Sequence, residues 1–227
     1  MSVAISPETS PSATTPSRTA GRVAAVASAL LGVALFWTVA SMNVPHDATD
    51  AELLTWWQDS GNRMTGVVSG LFAILTAIAI AVVANHLADL SAARRTPQWL
   101  ALSRSMAAAV TAVWLVTGAA RGSIGHLVDF MDEPLPGLDT LRSMTAFNYM
   151  LLGTSGMAVL GLFIVAVSVV VLRSGALGRW VSYVGLGCGV VMVAAVLARY
   201  GAFTTPLAIL WSFCLAFALW REPAGRS

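Results

Sequence analysis

Residues 64–85 read MTGVVSGLFAILTAIAIAVVAN, and this stretch decides the fold class. No charged side chain interrupts it. At about 1.5 Å per helical residue it reaches across the roughly 30 Å of hydrocarbon in a bilayer. A soluble helix would expose part of such a run to water, whereas a spanning helix satisfies its backbone internally and leaves its apolar side chains in lipid.

The same pattern repeats outward in both directions. Toward the C-terminus, a connection with His86, Asp89, Arg94, Arg95 and Pro97 leads, past Trp99 as an interface anchor, to a third span at about 100–120. Arg104 lies near enough to the start of that span to snorkel back to the interface. The longest polar interruption follows, from Arg121 to Arg142, with Asp129, Asp132, Glu133, Asp139 and His126. No charge appears from Ser143 to Leu172, which gives a fourth span at about 146–172, tilted or protruding because it is long. A fifth at 180–198 and a sixth at 202–220 complete the set. Toward the N-terminus, an acidic loop from Asn43 to Arg63 separates the first span, about 23–42, from the second. Thr49 and Glu52 have capping-box spacing, so a short helix should begin there. Gly61 should stop it, and Trp56 and Trp57 should lie at headgroup depth.

Thr38-Val-Ala40 loosely resembles a cleavage site. The run before it has the length of a span and not of a signal core, so a retained first helix is expected. Residues 1–21, rich in Ser, Thr, Pro and Ala, read as a disordered tail. Residues 22–221 then form one membrane domain and 222–227 a C-terminal tail.

Whole-chain composition agrees. Of 227 residues 57% are hydrophobic and 11% charged, with a mean hydropathy of +0.76. Soluble domains carry roughly a quarter charged residues. The net charge of +2 comes without a basic stripe, so no nucleic-acid partner is expected. Cys188 and Cys214 sit in apolar runs and read as buried thiols.

Arginine sets the orientation. Arg18, Arg22, Arg94, Arg95, Arg104, Arg173, Arg179, Arg221 and Arg226 fall on the side of the termini; Arg63, Arg121, Arg142 and Arg199 fall on the other, with most of the acids. Both termini are therefore expected to be cytoplasmic, in a cell membrane.

Candidate chemistry is sparse. The histidines do not pair at matching depth within the spans, so no haem is expected, nor any other cofactor. If residues 124–131 formed a short helix, His126 and Asp129 would share one face, and His46, Asp47 and Asp50 could complete a divalent-metal site. An acidic surface helix is the simpler account. Gly153-Thr-Ser-Gly156 departs from a nucleophile elbow, and Gly185 and Gly189 make a close-packing pair. No span carries Asp or Glu, so the usual proton-relay signature is missing from the sequence. No catalytic residue is assigned. Arg121, His126, Asp129 and Arg199 are the ligand or lid candidates, with Arg121 expected to pair with Asp129 or with an acid of the first loop.

LGRWV at 177–181, followed by Gly185 and by Leu210-Trp211, resembles bacterial families of six-helix integral membrane proteins whose activity is not assigned. Many of those have Pro before the Arg-Trp, where this chain has Gly178. The similarity covers the C-terminal third and implies architecture alone. The expectation is an all-α bundle of six membrane helices that binds or passes a small molecule or lipid, with the outer loops as a lid. An accessory or sensing subunit docking a protein partner is the rival reading, and an outer-face metalloenzyme a third.

Overall fold

The computed structural model describes residues 18–41, 44–45, 47–92 and 97–221. Every element among them is helical. The order is α1 (Arg18–Ala40), α2 (Asp50–Gln58), α3 (Ser60–Ala92), α4 (Pro97–Gly125), a π-helical turn (His126–Phe130), α5 (Leu138–Tyr149), a π-helical segment (Met150–Gly156), α6 (Met157–Ser174), α7 (Arg179–Leu197), a 3-10 turn (Gly201–Thr204) and α8 (Thr205–Trp220). Six stretches are long and apolar enough to cross a membrane: Thr19–Ala40, Ser60–Ala92, Gln98–Phe130, Leu138–Ser174, Arg179–Leu197 and Gly201–Trp220.

The helices overrun the spans that hydropathy predicts. Hydropathy ends a span at the first polar cluster, but a helix continues wherever its polar side chains find partners. α1 begins at Arg18, inside the stretch expected to be a tail; the rest of that tail, the connection at 93–96 and the C-terminal residues 222–227 lie outside the described residues. Gly61 does not stop α2. The chain breaks at Asp59, in an extended conformation, and Asp59 Oδ1 accepts from Asn62 N at 2.7 Å, capping α3 instead.

The six long helical stretches form a closed ring. Each neighbours the next in sequence, and α8 returns to pack against α1. Facing glycines set the closest approaches. A Cβ on Gly70 of α3 would lie 2.5 Å from the Gly118 carbonyl of α4, and one on Gly118 would lie 2.8 Å from the Gly70 carbonyl. Gly189 of α7 stands in the same relation to Gly161 of α6, at 2.8 Å. The expected packing role of the fifth-span glycines is thus seen directly, with Gly185 against Ser168 and Trp211.

Two separate apolar cores result. The large one fills the bundle and includes Leu31, Ile80, Trp114, Leu152, Phe163, Met192 and Trp211. The small one gathers Val44, Leu53, Trp57, Ile124 and Leu141 at the end of the bundle away from the termini. That second core is a cap. Trp57, expected at headgroup depth, is fully buried in it, because α2 turns its Leu53–Trp57 face inward to cluster with Ile124 and Leu141.

Candidate functional site

The cap is fastened by Arg63. Along α4, Gly118, Gly122 and Gly125 present almost no side chain to α3, and a Cβ on Gly125 would lie 2.8 Å from the Arg63 carbonyl. The two backbones are therefore nearly in contact where the cap begins. Past Gly125 the helix widens into the π turn, which carries Asp129. Arg63 Nε lies 3.1 and 3.0 Å from the Asp129 carboxylate oxygens, and Nη2 lies 2.5 Å from Oδ1. Its Nη1 donates to the carbonyls of Trp57 and Gln58 at 2.7 and 2.8 Å, which α2 leaves unsatisfied at its C-terminus. One guanidinium thus joins α2, α3 and the π turn. The pair is largely desolvated, with 10% and 16% of the side chains exposed.

This overturns the expected pairing of Arg121 with Asp129. Arg121 is 5% exposed, and its Nε donates to Ser69 Oγ at 2.5 Å while Nη2 donates to the Thr38 carbonyl at 3.1 Å. Asp50 is likewise taken by another arginine, Arg142, in an exposed ion pair across the cap. The capping box at Thr49 forms as expected: Thr49 N and Oγ1 each donate to Glu52 Oε2 at 2.8 Å. The Thr49 backbone N–H, and then its hydroxyl, hold the Glu52 carboxyl below its ordinary pKa.

Between the two cores runs a polar layer. The buried face of the fourth long helical stretch passes from Leu141 in the cap core through Thr145 and Asn148 to Leu152 in the bundle core. On α4 the corresponding passage is Ile124, Arg121, Trp114. Ser69 and Thr38 complete the layer from α3 and α1, both fully buried. Tyr149 donates its hydroxyl to the Val44 carbonyl at 2.6 Å and stands within electrostatic reach of Arg121. Asn148 is the exception. It is 3% exposed, and among the described residues neither its amide nitrogen nor its oxygen has a hydrogen-bond partner. Most buried polar side-chain atoms in proteins are paired, so an amide with both ends vacant calls for an explanation.

The remaining candidates are not brought into this layer. His126 is exposed and stacks on Phe130, ring centroids 5.6 Å apart. The π turn, not the expected α-helix over 124–131, separates it from the Arg63-bound carboxylate of Asp129, since bonds to the fifth residue widen each turn. Arg199 is exposed at the end of α7 with φ of 68°. His46 lies outside the described residues, and among those described no three His, Cys, Asp or Glu side chains gather to hold a metal ion. Of the metal set His46, Asp50, His126 and Asp129, both carboxylates are engaged by arginines, Asp50 by Arg142 and Asp129 by Arg63.

Sequence reasoning missed Arg63, Arg142, Asn148 and Tyr149. Arg63 had a legible signal: an arginine within six residues of a helix end can reach that helix's last carbonyls. Asn148 had only its presence in an otherwise uncharged run. A small cavity of about 10 Å³, the size of one water, lies between α6, α7 and α8 beside Ser168 and Ser182, whose hydroxyls have no hydrogen-bond partner among the described residues.

Compared with protein-family models, with curated proteins and with solved structures, the chain matches none.

Proposed function

We propose that the protein is a multi-pass membrane protein of the cell membrane, with both termini cytoplasmic, that binds a small ligand in the polar layer beneath an extracytoplasmic cap. The observation that carries this reading is Asn148, whose vacant amide lies between two apolar cores in the same layer as the guanidinium of Arg121. A guanidinium and an amide together complement a carboxylate or a phosphate oxyanion. The cap supports the role of a lid, because it has its own core and is fastened to α3 by the discrete Arg63–Asp129 pair. Binding is favoured over permeation, since close glycine contacts leave the neighbouring helices little space. Membership of the bacterial six-helix families that the C-terminal third resembles belongs to the same proposal.

Thermal unfolding of the purified chain against a panel of small carboxylates and phosphates tests it. A stabilising compound whose effect disappears in Asn148→Leu and in Arg121→Gln supports the binding site. No shift with any compound, together with an Asn148→Leu variant that retains every other property, would reduce the layer to a structural one. Orientation is tested with single cysteines: Ser60→Cys and Gly137→Cys should react with an impermeant maleimide in intact cells, and Ala92→Cys should not.

The rival reading, an accessory or sensing subunit that docks a partner protein, rests on the closed ring and the acidic cap surface. It predicts that the partner is lost on charge reversal at exposed Asp132 and Asp139, with the polar layer irrelevant.

A further inference from the structure

We propose that the seam between α1 and α8, at the end of the bundle that carries the termini, binds an anionic phospholipid whose phosphate is held by Arg22 and Arg221. This rests on the reading that the six helices lie in a bilayer. The two helices run antiparallel and in contact: Ser28 Oγ donates to the Ser212 carbonyl at 2.8 Å, and the Phe213 ring stands against Gly32. At the head of the seam Arg22 lies over the Trp220 ring, 5.7 Å from its centroid, and Arg221 over Phe217 at 4.1 Å. Trp180, from the first turn of α7, meets Phe217 edge-on at 6.2 Å.

Ring contacts hold a guanidinium by its face and leave its N–H edge free for oxygen. No hydrogen bond or ion pair engages either guanidinium among the described residues. The charge around them is one-sided. Arg22, Arg104, Arg173, Arg179 and Arg221 lie at this end, and Asp89 is its one carboxylate among the described residues. The surface therefore asks for an anion.

What lies deeper says which anion. Phe213, Phe217 and Trp220 line the α8 side of the seam, and Val26 stands one turn along α1 from Arg22, all more than 40% exposed. The α8 rings, three to four residues apart, share one helix face. A soluble phosphate or an acidic protein would use the arginines and leave this apolar strip bare. A phospholipid uses both at once, its phosphate at the guanidinia and its acyl chains along the strip. The rings at the junction suit the boundary between headgroup and hydrocarbon.

Tryptophan quenching by brominated lipid in reconstituted full-length protein tests this. Brominated phosphatidylglycerol should displace phosphatidylcholine from the seam in preference to brominated phosphatidylcholine. Each arginine should contribute roughly fivefold to that preference, the effect of one basic residue near a charged surface. The Arg22→Gln/Arg221→Gln double variant should lose most of it, while Arg104→Gln, remote from the seam on α4, should keep it. Equal quenching by the two lipids, or a double variant with its preference intact, overturns the proposal. Flotation with pure phosphatidylcholine vesicles separates the two readings. A chain that floats without lipid preference refutes the seam alone; a chain that does not float refutes the bilayer reading and the seam with it.

Discussion

Arg63 and Asp129 are 66 residues apart in sequence, yet Nε and Nη2 of one grip the carboxylate of the other at 2.5 to 3.1 Å while Nη1 holds the end of α2. A bidentate pair of this kind both binds and orients. It is the contact through which the cap is fastened to the bundle, and the cost of breaking such a contact rises with its burial.

Arg63→Ala strands a nearly buried carboxylate and releases the Trp57 and Gln58 carbonyls. The expected cost is about 3 kcal/mol, on the scale of breaking a buried pair. Asp129→Asn should cost less, since an amide still accepts one hydrogen bond. The two should be strongly non-additive, with a coupling of roughly 1–3 kcal/mol in a double-mutant cycle, whereas Arg121→Gln and Asp129→Asn should add. Thermal unfolding together with proteolysis of the 44–58 segment measures both. Coupling of Asp129 to Arg121 instead of Arg63 would contradict the arrangement described.

Arg142 and Asp50 make the contrasting case. Their side chains are 49% and 64% exposed. Arg142→Gln should therefore change stability by no more than about 1 kcal/mol, and that small effect should fade with added salt. A loss as large as that of Arg63→Ala would mean the cap is held mainly at its rim.

Gly70→Ala places a methyl group 2.5 Å from the Gly118 carbonyl, against backbone that cannot swing aside. Separation of α3 and α4 should cost about 1–3 kcal/mol, the range for overpacking. It should also weaken the Arg63–Asp129 grip, so cap proteolysis should rise alongside the loss in melting temperature. Gly187→Ala, where nothing lies within 4 Å of the new methyl, is the matched control and should be neutral or mildly stabilising.

The capping box makes the cap sensitive to acid. Because hydrogen bonds from Thr49 hold Glu52 below its ordinary pKa of 4.5, its contribution is complete above that value and is lost as pH falls through the lowered one. Protection of the first turn of α2 against hydrogen exchange, taken relative to the intrinsic rate at each pH, should therefore fall on acidification below about pH 4.5. Thr49→Ala should exchange faster at neutral pH and show a flatter response in that window.

Asn148→Leu should raise the melting temperature of the ligand-free chain, by the equivalent of about 1 kcal/mol, because a buried amide with both ends vacant costs more than an apolar replacement of similar shape. A fall of that size would show that the amide is satisfied, by water or by ligand, in the purified protein.

The sequence by itself determined what is local. A run such as 64–85 needs no partner to declare itself a bilayer-length helix, because length and hydropathy are properties of the segment. The start of α2 was equally legible, since Thr49 and Glu52 satisfy each other three residues apart. What the tertiary structure alone decided was which arginine meets which acid. In the sequence, Arg63 and Arg121 both stood at the ends of spans on the side that carries most of the acids, and only Arg121 was matched to Asp129. The choice fell to Arg63 because facing glycines bring α3 against α4 at Gly125, and because the π turn that follows carries Asp129 toward it. Asn148 was one more polar residue in an uncharged run until the fold put one apolar core above it and another below. Ion pairing and burial depend on distances between segments far apart in the chain, and those distances exist only once the helices have packed.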